Sequence, residues 1–313
     1  MTSSFPPEFH FRMKLISACK TGNIEILQTE VDGLKKIQGA IRSCFIESMV
    51  HSHPNNMRFL LSIDSEKEVD NVILYNSLSA IQLLVQKGNI SYPRDTIKEM
   101  MKIIIDHLEP TESLVSDLIR FLSKHQRVWI GETSQEMLIP KLTKDPLLAA
   151  KAATECATDD NRIFLLLKII DARPDLDLEP TFEAAMKASS FYNASVLIER
   201  GVKYERVGLR KLLLTALARA KPDPSRRAAF FKLLLAFICR GYKPCKKMVI
   251  GPQKQPRFSD KDIQMIVEYR FKNNIPLGTC GALQQRVDAY MLKKGIKVAY
   301  TPKQKEEEKK GSQ

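Results

Sequence analysis

The sequence predicts an all-α fold, arranged as a solenoid of degenerate helix-turn-helix repeats. Three observations support this prediction: apolar residues at helical spacing, repeated helix-ending signals, and the lack of strand patterns. One apolar series follows the spacing i, i+3, i+4, i+7 and i+8, and it comprises Leu209, Leu212, Leu213, Ala216 and Leu217. The best strand candidate, residues 297–300, is too short to define a sheet.

Three segments are apolar on nearly every side instead of along one stripe. They span residues 100–105, 163–170 and 230–238. A helix with no polar face has to be covered on more than one side, which is the position of an inner helix in a stacked array. We therefore expect these segments to form inner helices.

Helix starts are marked by an acidic residue followed by proline. The pairs at 145–146, 179–180 and 223–224 each place proline where the first helical residue is expected. The preceding acid suits the positive N-terminal end of the helix dipole. Ser259 and Asp262 have the spacing of a capping box, with Asp in place of the usual Glu, and predict a further helix start.

Helix ends repeat a common signal, a basic residue followed by glycine. Apolar segments end in this way at Gly88, Gly201, Gly241 and Gly295. Glycine readily adopts the left-handed conformation that ends a helix, and the cation faces the negative end of the helix dipole. The last three glycines are 40 and 54 residues apart, which indicates a duplicated unit that carries insertions.

Two short stretches resemble a known repeat family. Residues 18–27, Ala-Cys-Lys-Thr-Gly-Asn-Ile-Glu-Ile-Leu, resemble the inner turn and second helix of an ankyrin repeat, and residues 197–204 resemble the end of such a second helix. The resemblance is clear over 12–34 and 155–244, and weak over 40–154 and 259–299. The family's Thr-Pro-Leu-His signature and its β-hairpin loops are not found, which leaves another helix-pair solenoid open. The resemblance implies an ankyrin-like array with a surface for a protein partner.

The predicted domain organisation follows from these signals. Residues 1–11 are expected to be an N-terminal extension, and residues 12–243 the ankyrin-like repeat array, with a sub-boundary near 126–145. A basic, proline-containing loop is expected at 244–258, a C-terminal helical cap at 259–299 and a disordered charged tail at 300–313.

Charge is divided unevenly along the chain. Residues 201–313 carry 26 Lys and Arg against 9 Asp and Glu, whereas residues 1–200 carry 23 basic and 27 acidic residues. Such asymmetry suggests that the basic half binds a polyanion, either RNA or DNA or an acidic protein. The alternative is a basic surface that only keeps the protein in solution.

Six cations lie close together without an acid between residues 240 and 257, and they are candidates for binding an anion or a nucleic acid. They are Arg240, Lys243, Lys246, Lys247, Lys254 and Arg257. Tyr242 and Phe258 flank these cations and are candidates for stacking on bases. Prolines disfavour a helix here, and mutual repulsion predicts an extended, mobile loop. The alternative is an insertion that the edge of a repeat tolerates.

No catalytic, cofactor or metal site is predicted. His51 and His53 stand just before a proline and lack further ligands at suitable spacing, so a polar turn is favoured over a metal pair. The glycines at 278 and 281 have neither a preceding strand nor a following Gly-Lys-Ser/Thr motif, which argues against a phosphate-binding loop. We therefore expect a protein that is not an enzyme.

The N-terminal residues lack the basic flank and apolar run of a secretory signal. The longest apolar stretches, 164–170 (which includes Lys168) and 233–239, are far shorter than a membrane-spanning helix of about 20 residues. The six cysteines are scattered, as is typical of free thiols in a reducing compartment. We expect an intracellular protein of the cytoplasm or nucleus, neither secreted nor transmembrane.

Two functions are consistent with this sequence. The first is a non-catalytic protein–protein interaction or scaffold module that binds a protein partner on the repeat surface. The alternative is an RNA- or DNA-binding subunit of a ribonucleoprotein or chromatin-type complex, in which the basic C-terminal half contacts phosphates.

Overall fold

The fold is all-α, as the sequence predicts. A computed structural model describes residues 6–86, 93–124, 129–202, 206–220, 222–251 and 256–296. These residues form 18 α-helices, and the one β-type pairing among them is an isolated antiparallel bridge between Ile250 and Pro256. Gly88, Lys254, residues 297–300 and the predicted charged tail lie outside the described residues.

The chain divides into two compact units, residues 1–177 and 178–313. The helices of the first unit are α1 (Pro7–Thr21), α2 (Ile24–Thr29), α3 (Val31–Lys36), α4 (Ala40–Val50), α5 (Pro54–Ile63), α6 (Asn71–Gln86), α7 (Arg94–His107), α8 (Glu112–Lys124), α9 (Trp129–Lys144), α10 (Pro146–Ala157) and α11 (Ile163–Ala172). Those of the second unit are α12 (Glu179–Ala188), α13 (Phe191–Glu199), α14 (Arg206–Ala220), α15 (Pro224–Cys239), α16 (Lys246–Val249), α17 (Asp260–Lys272) and α18 (Gly281–Lys293).

The helices of the first unit pack as consecutive pairs. The pairs are α1/α2, α4/α5, α6/α7, α8/α9 and α10/α11, and the two helices of each pair contact each other. The second members follow one another in contact, from α2 to α5, α7, α9 and α11. The first members show the same succession from α1 to α4 and α6, and again from α8 to α10.

The second unit uses the same kind of packing over fewer helices. Helix α12 pairs with α13, and α14 pairs with α15. The second members continue from α13 to α15 and on to α17, while α12 contacts α14. Helix α18 packs on α17 and on the short helix α16.

The three segments predicted as inner helices provide much of the core. In α7, Met100, Met101 and the isoleucines at 103, 104 and 105 are buried. Helices α11 and α15 likewise bury most of their apolar residues. Phe164 is an exception at 68% exposure, so α11 has one outward apolar position that the pattern of its sequence did not reveal.

Most of the predicted helix starts and ends are confirmed. Asp145 accepts a hydrogen bond from the Leu147 amide at 2.7 Å, and the Ser259–Asp262 capping box is formed in both directions. Glu179 differs, because it is itself the first residue of α12 and Pro180 the second. The glycines at 201, 241 and 295 all have positive φ, between 66° and 94°.

Successive pairs are tied together by side-chain donors that reach carbonyl oxygens at the end of a helix in the preceding pair. Lys141 of α9 donates to the carbonyl oxygens of Asp106 and Leu108, at the end of α7, at 2.7 and 2.9 Å. His53, before α5, donates to the carbonyl of Lys20 near the end of α1 at 2.9 Å. The last carbonyls of a helix have no partner within it and carry negative partial charge, so a donor there stabilises the stack.

Three predicted segment boundaries differ in the structure. Helix α1 begins at Pro7, within the predicted N-terminal extension, and Phe11 packs so closely on Gly33 that a β-carbon at Gly33 would lie 2.3 Å from its ring. The predicted loop 244–258 contains α16, where Met248 and Val249 are buried. The division between the units falls at 177–178, whereas α9 runs through most of the region 126–145.

Candidate functional site

The basic character of the second unit is concentrated in residues 206–258. This stretch contains 14 Lys and Arg and a single acid, Asp223. Asp223 caps α15, accepting hydrogen bonds from the Ser225 amide at 2.8 Å and the Arg226 amide at 3.3 Å. Hydrogen bonds, first from the Ser225 hydroxyl, hold the pKa of Asp223 below its usual range. The one carboxylate of the stretch is therefore already engaged.

Arg257 is held against α15. Its backbone amide donates to the Val249 carbonyl at 2.9 Å, and its guanidinium lies over the Phe231 ring, 5.3 Å from the centroid. The Nε atom is buried without a hydrogen-bond partner. Burial, followed by the nearby charge of Arg227, lowers the pKa of Arg257. Arg257 is thus a partly desolvated cation, while Asp223, the one carboxylate of the stretch, is engaged at the start of α15.

A cleft of about 340 Å³ lies between α14 and the segment that carries Arg257. Its lining includes two cations and an apolar wall, formed by Lys247 and Arg257 and by Leu214, Leu217, Ala218 and Ile250. Lys247 is exposed at the start of α16. The cleft can accept an anion on one side and an apolar group on the other.

The other predicted cations have different surroundings. Arg240 lies over the Tyr269 ring at 5.5 Å and donates to the Ala236 carbonyl at 3.4 Å, so its guanidinium is used within the unit. Lys243 is exposed, with its Nζ close to Gly278, and Lys246 is exposed on α16. The structure therefore brings Lys247 and Arg257 to one cleft and places Arg240 and Lys243 elsewhere.

The two aromatic candidates for base stacking are packing residues. Phe258 is 3% exposed and meets Phe231 edge-on at 6.0 Å, so its ring is covered within the unit and is not open to a base in this structure. Tyr242 is half-buried, meets Phe237 edge-on at 6.1 Å, and directs its hydroxyl to Met248. Burial raises the pKa of Tyr242. Both rings turn inward because apolar residues of α15 and α16 cover them.

Sequence reasoning missed two contributions to this region. Arg210 and Lys211 are exposed on α14, the helix whose apolar face forms one wall of the cleft; the lack of any acid in that helix was the available signal. Arg270 of α17 is 2% exposed and donates from Nη1 to the Gly278 carbonyl at 3.1 Å. Nothing in the local sequence distinguished Arg270 from a surface cation.

Elsewhere, the described residues contain no group of three or more His, Cys, Asp or Glu placed to hold a metal ion. His51 and His53 lie at the turn between α4 and α5, where a polar turn was expected. In the part of the chain that the structure describes, no helix is both long enough and apolar enough to cross a membrane.

Comparisons with known proteins assign no family to this fold. No family model, no curated protein and no solved structure matches the chain.

Proposed function

We propose that the chain is a non-catalytic interaction module built from ankyrin-like helix pairs. The observation that carries this proposal is the succession of pairs in each unit, with like helices in contact from one pair to the next. Repeated pairs that contact only their neighbours are characteristic of solenoid proteins, whose stacked surface serves to bind partners. The fold alone does not specify the partner, so the surface chemistry has to provide it.

Exposed apolar side chains on one pair offer a surface for a protein partner. Leu147 is the second residue of α10 and is 69% exposed, and Phe164 has the same position in α11. Apolar and aromatic side chains that a partner can cover are the usual energetic centres of protein interfaces. These two residues are therefore the first to change when the surface is tested.

The test is affinity capture with nuclease treatment, comparing the parent with a Leu147→Ser, Phe164→Ser variant. A matched control replaces Val72 and Leu83, exposed apolar residues of α6, with serine. We expect a protein partner that resists nuclease, is retained by the control, and is lost from the first variant. Partners that all disappear with nuclease would contradict a protein-binding module and favour the second candidate.

A second candidate, a nucleic-acid-associated subunit, is favoured by the charge of residues 206–258. Fourteen cations accompany one acid, and that acid caps a helix. Phosphate contacts give an affinity that falls steeply as salt rises, because binding releases counterions from the nucleic acid. Mobility shifts of RNA and DNA across a salt series test this function, and no binding near 50 mM salt would exclude it.

A further inference from the structure

The cleft beside α14 combines the features of a phosphate site. Lys247 and Arg257 approach it from the two ends of one segment, which is closed by the pairing of Ile250 with Pro256. The opposite wall, with Leu214 and Leu217, is apolar. A volume of about 340 Å³ is within the range of ligand-binding clefts. The bridge brings the backbone near Lys247 and the backbone near Arg257 to the same side of the cleft, facing the apolar wall.

Arg257 supplies the specific reason to expect an anion here. Its guanidinium is oriented by the Phe231 ring, and its buried Nε lacks a hydrogen-bond partner. Arg257 is only partly exposed and lines the cleft, so an anion there would offset the partial loss of water around its charge. The planar guanidinium matches a phosphate group at two points, whereas Lys247 adds a mobile point charge.

The surroundings of the cleft favour a polymer of phosphates over a single anion. Exposed Arg210 and Lys211 belong to the same helix as the apolar wall, and Lys246 precedes Lys247 on α16. Because exposed cations extend beyond the cleft along the surface, they suit a polymeric ligand that carries one negative charge on each nucleotide. The apolar wall suits the sugar that accompanies each phosphate. Phe258 is buried and meets Phe231 edge-on, and the Arg257 guanidinium lies over the Phe231 ring. These two rings therefore offer no open face to bases, which favours backbone contacts without sequence preference.

We propose that the cleft formed by α14, Lys247 and Arg257 binds a phosphodiester group of a nucleic-acid strand, independently of base sequence. This inference rests on the nucleic-acid-associated function proposed above and names the site that carries it.

The experiment measures binding of labelled oligouridylate and oligoadenylate to the full chain across a salt series. The test variant is Lys247→Gln with Arg257→Gln. Its control is Lys232→Gln with Lys272→Gln, which removes the same charge at exposed positions that do not line the cleft. We expect the test variant to lose roughly tenfold or more in affinity, because it removes both charge-assisted contacts that the cleft can make with a phosphate. Its slope against salt should fall by about 1.4, for two contacts with a single strand.

The control variant should retain most of its affinity, and the two oligonucleotides should bind alike. Thermal melting establishes that each variant is folded, and Lys247→Gln alone, at an exposed position, keeps the test informative if Arg257→Gln unfolds the chain. An Arg257→Lys variant keeps the charge but loses the two-point geometry, so we expect an intermediate loss.

The outcomes separate this site from the broader function. If the parent binds oligonucleotides and the test variant binds as well as the control, the cleft is not the phosphate site, while the nucleic-acid function stands. If the parent binds neither RNA nor DNA, both proposals fail. If polyglutamate, used as an acidic-protein probe, binds more tightly than oligouridylate and requires Lys247 and Arg257, the occupant is an acidic protein and the present proposal is overturned.

Discussion

Arg173 and Asp175, just after α11, form a two-point ion pair that positions the arginine on the end of α9. The Nε and Nη2 atoms of Arg173 donate to the two carboxylate oxygens of Asp175 at 2.8 and 2.7 Å. The remaining Nη1 donates to the Thr143 carbonyl at 3.0 Å, in the last turn of α9. The carboxylate of Asp175 therefore holds the guanidinium of Arg173 in the orientation that caps the C-terminal end of α9.

We predict that this pair makes the fold sensitive to acid below about pH 4. Its hydrogen bonds with Arg173 lower the pKa of Asp175 from 3.8 to about 2. A depressed folded-state pKa contributes stability above the ordinary pKa, and this contribution is lost as the pH falls toward 2. Asp175→Asn should lower the melting temperature at pH 6 and should match the parent near pH 2. A difference of equal size at both pH values would contradict this account.

Lys141 caps the end of a helix in the same way, one helix pair earlier in the chain. Its ammonium group donates to the carbonyls of Asp106 and Leu108 at the end of α7. Replacing it with methionine keeps the aliphatic chain but leaves these carbonyls without this donor. We expect Lys141→Met to lower the free energy of unfolding by about 1–2 kcal/mol in urea denaturation.

Lys144 provides the matched control, because it lies in the last turn of the same helix and is exposed. Lys144→Met should change the free energy of unfolding by less than about 0.5 kcal/mol. Equal losses in the two variants would show that the loss reflects helix charge and not the contacts with α7.

The helical fold could be predicted because its signals are local. Helix caps such as Asp145 and Ser259 depend on residues within one turn, and left-handed glycines such as Gly241 depend on one position. The start of α1 at Pro7 was missed although Pro7 at the first helical position and Glu8 in the first turn are local signals. The packing of Phe11 on Gly33, by contrast, joins positions too far apart for a local pattern to show.

The candidate site was predictable in composition but not in geometry. Counting charges located the cations of residues 240–257, but it could not show that Arg257 turns back onto Phe231 while Arg240 lies over Tyr269. It also could not show that Phe258 is covered, because the covering residue lies 27 positions earlier in the chain. Contacts between distant residues decide which cations share a cleft.

Cysteine reactivity tests the packing of both units. Cys19, Cys44, Cys156 and Cys239 are buried, whereas Cys245 and Cys280 are partly accessible. Burial raises the pKa of the Cys156 thiol, and it raises that of Cys239 to about 11. Burial raises the pKa of Cys280 as well. Since the thiolate is the reactive form and the alkylating agent must reach it, we expect iodoacetamide to modify Cys245 first, then Cys280, and both before the four buried cysteines of the native protein.

Peptide mass spectrometry after a timed reaction measures the order of modification. The four buried cysteines should react only when urea unfolds the chain, whereupon all six should become equivalent. Rapid native labelling of Cys156 would be inconsistent with the packing of α10 described above.

Arg270 is a buried cation whose contribution to the free energy of unfolding can be measured by mutation. It is 2% exposed, its Nε has no hydrogen-bond partner, and burial lowers its pKa. The Gly278 carbonyl accepts one hydrogen bond from it. The desolvation of the guanidinium opposes folding, while the volume of the side chain and this hydrogen bond favour folding.

We therefore expect Arg270→Met, which fills much of the same space without a charge, to change the free energy of unfolding by less than about 1 kcal/mol. Arg270→Ala, which leaves a cavity, should destabilise by about 2–4 kcal/mol in the same urea measurement. A loss from Arg270→Met as large as that from Arg270→Ala would mean that the charge itself stabilises the fold, in contradiction to the prediction.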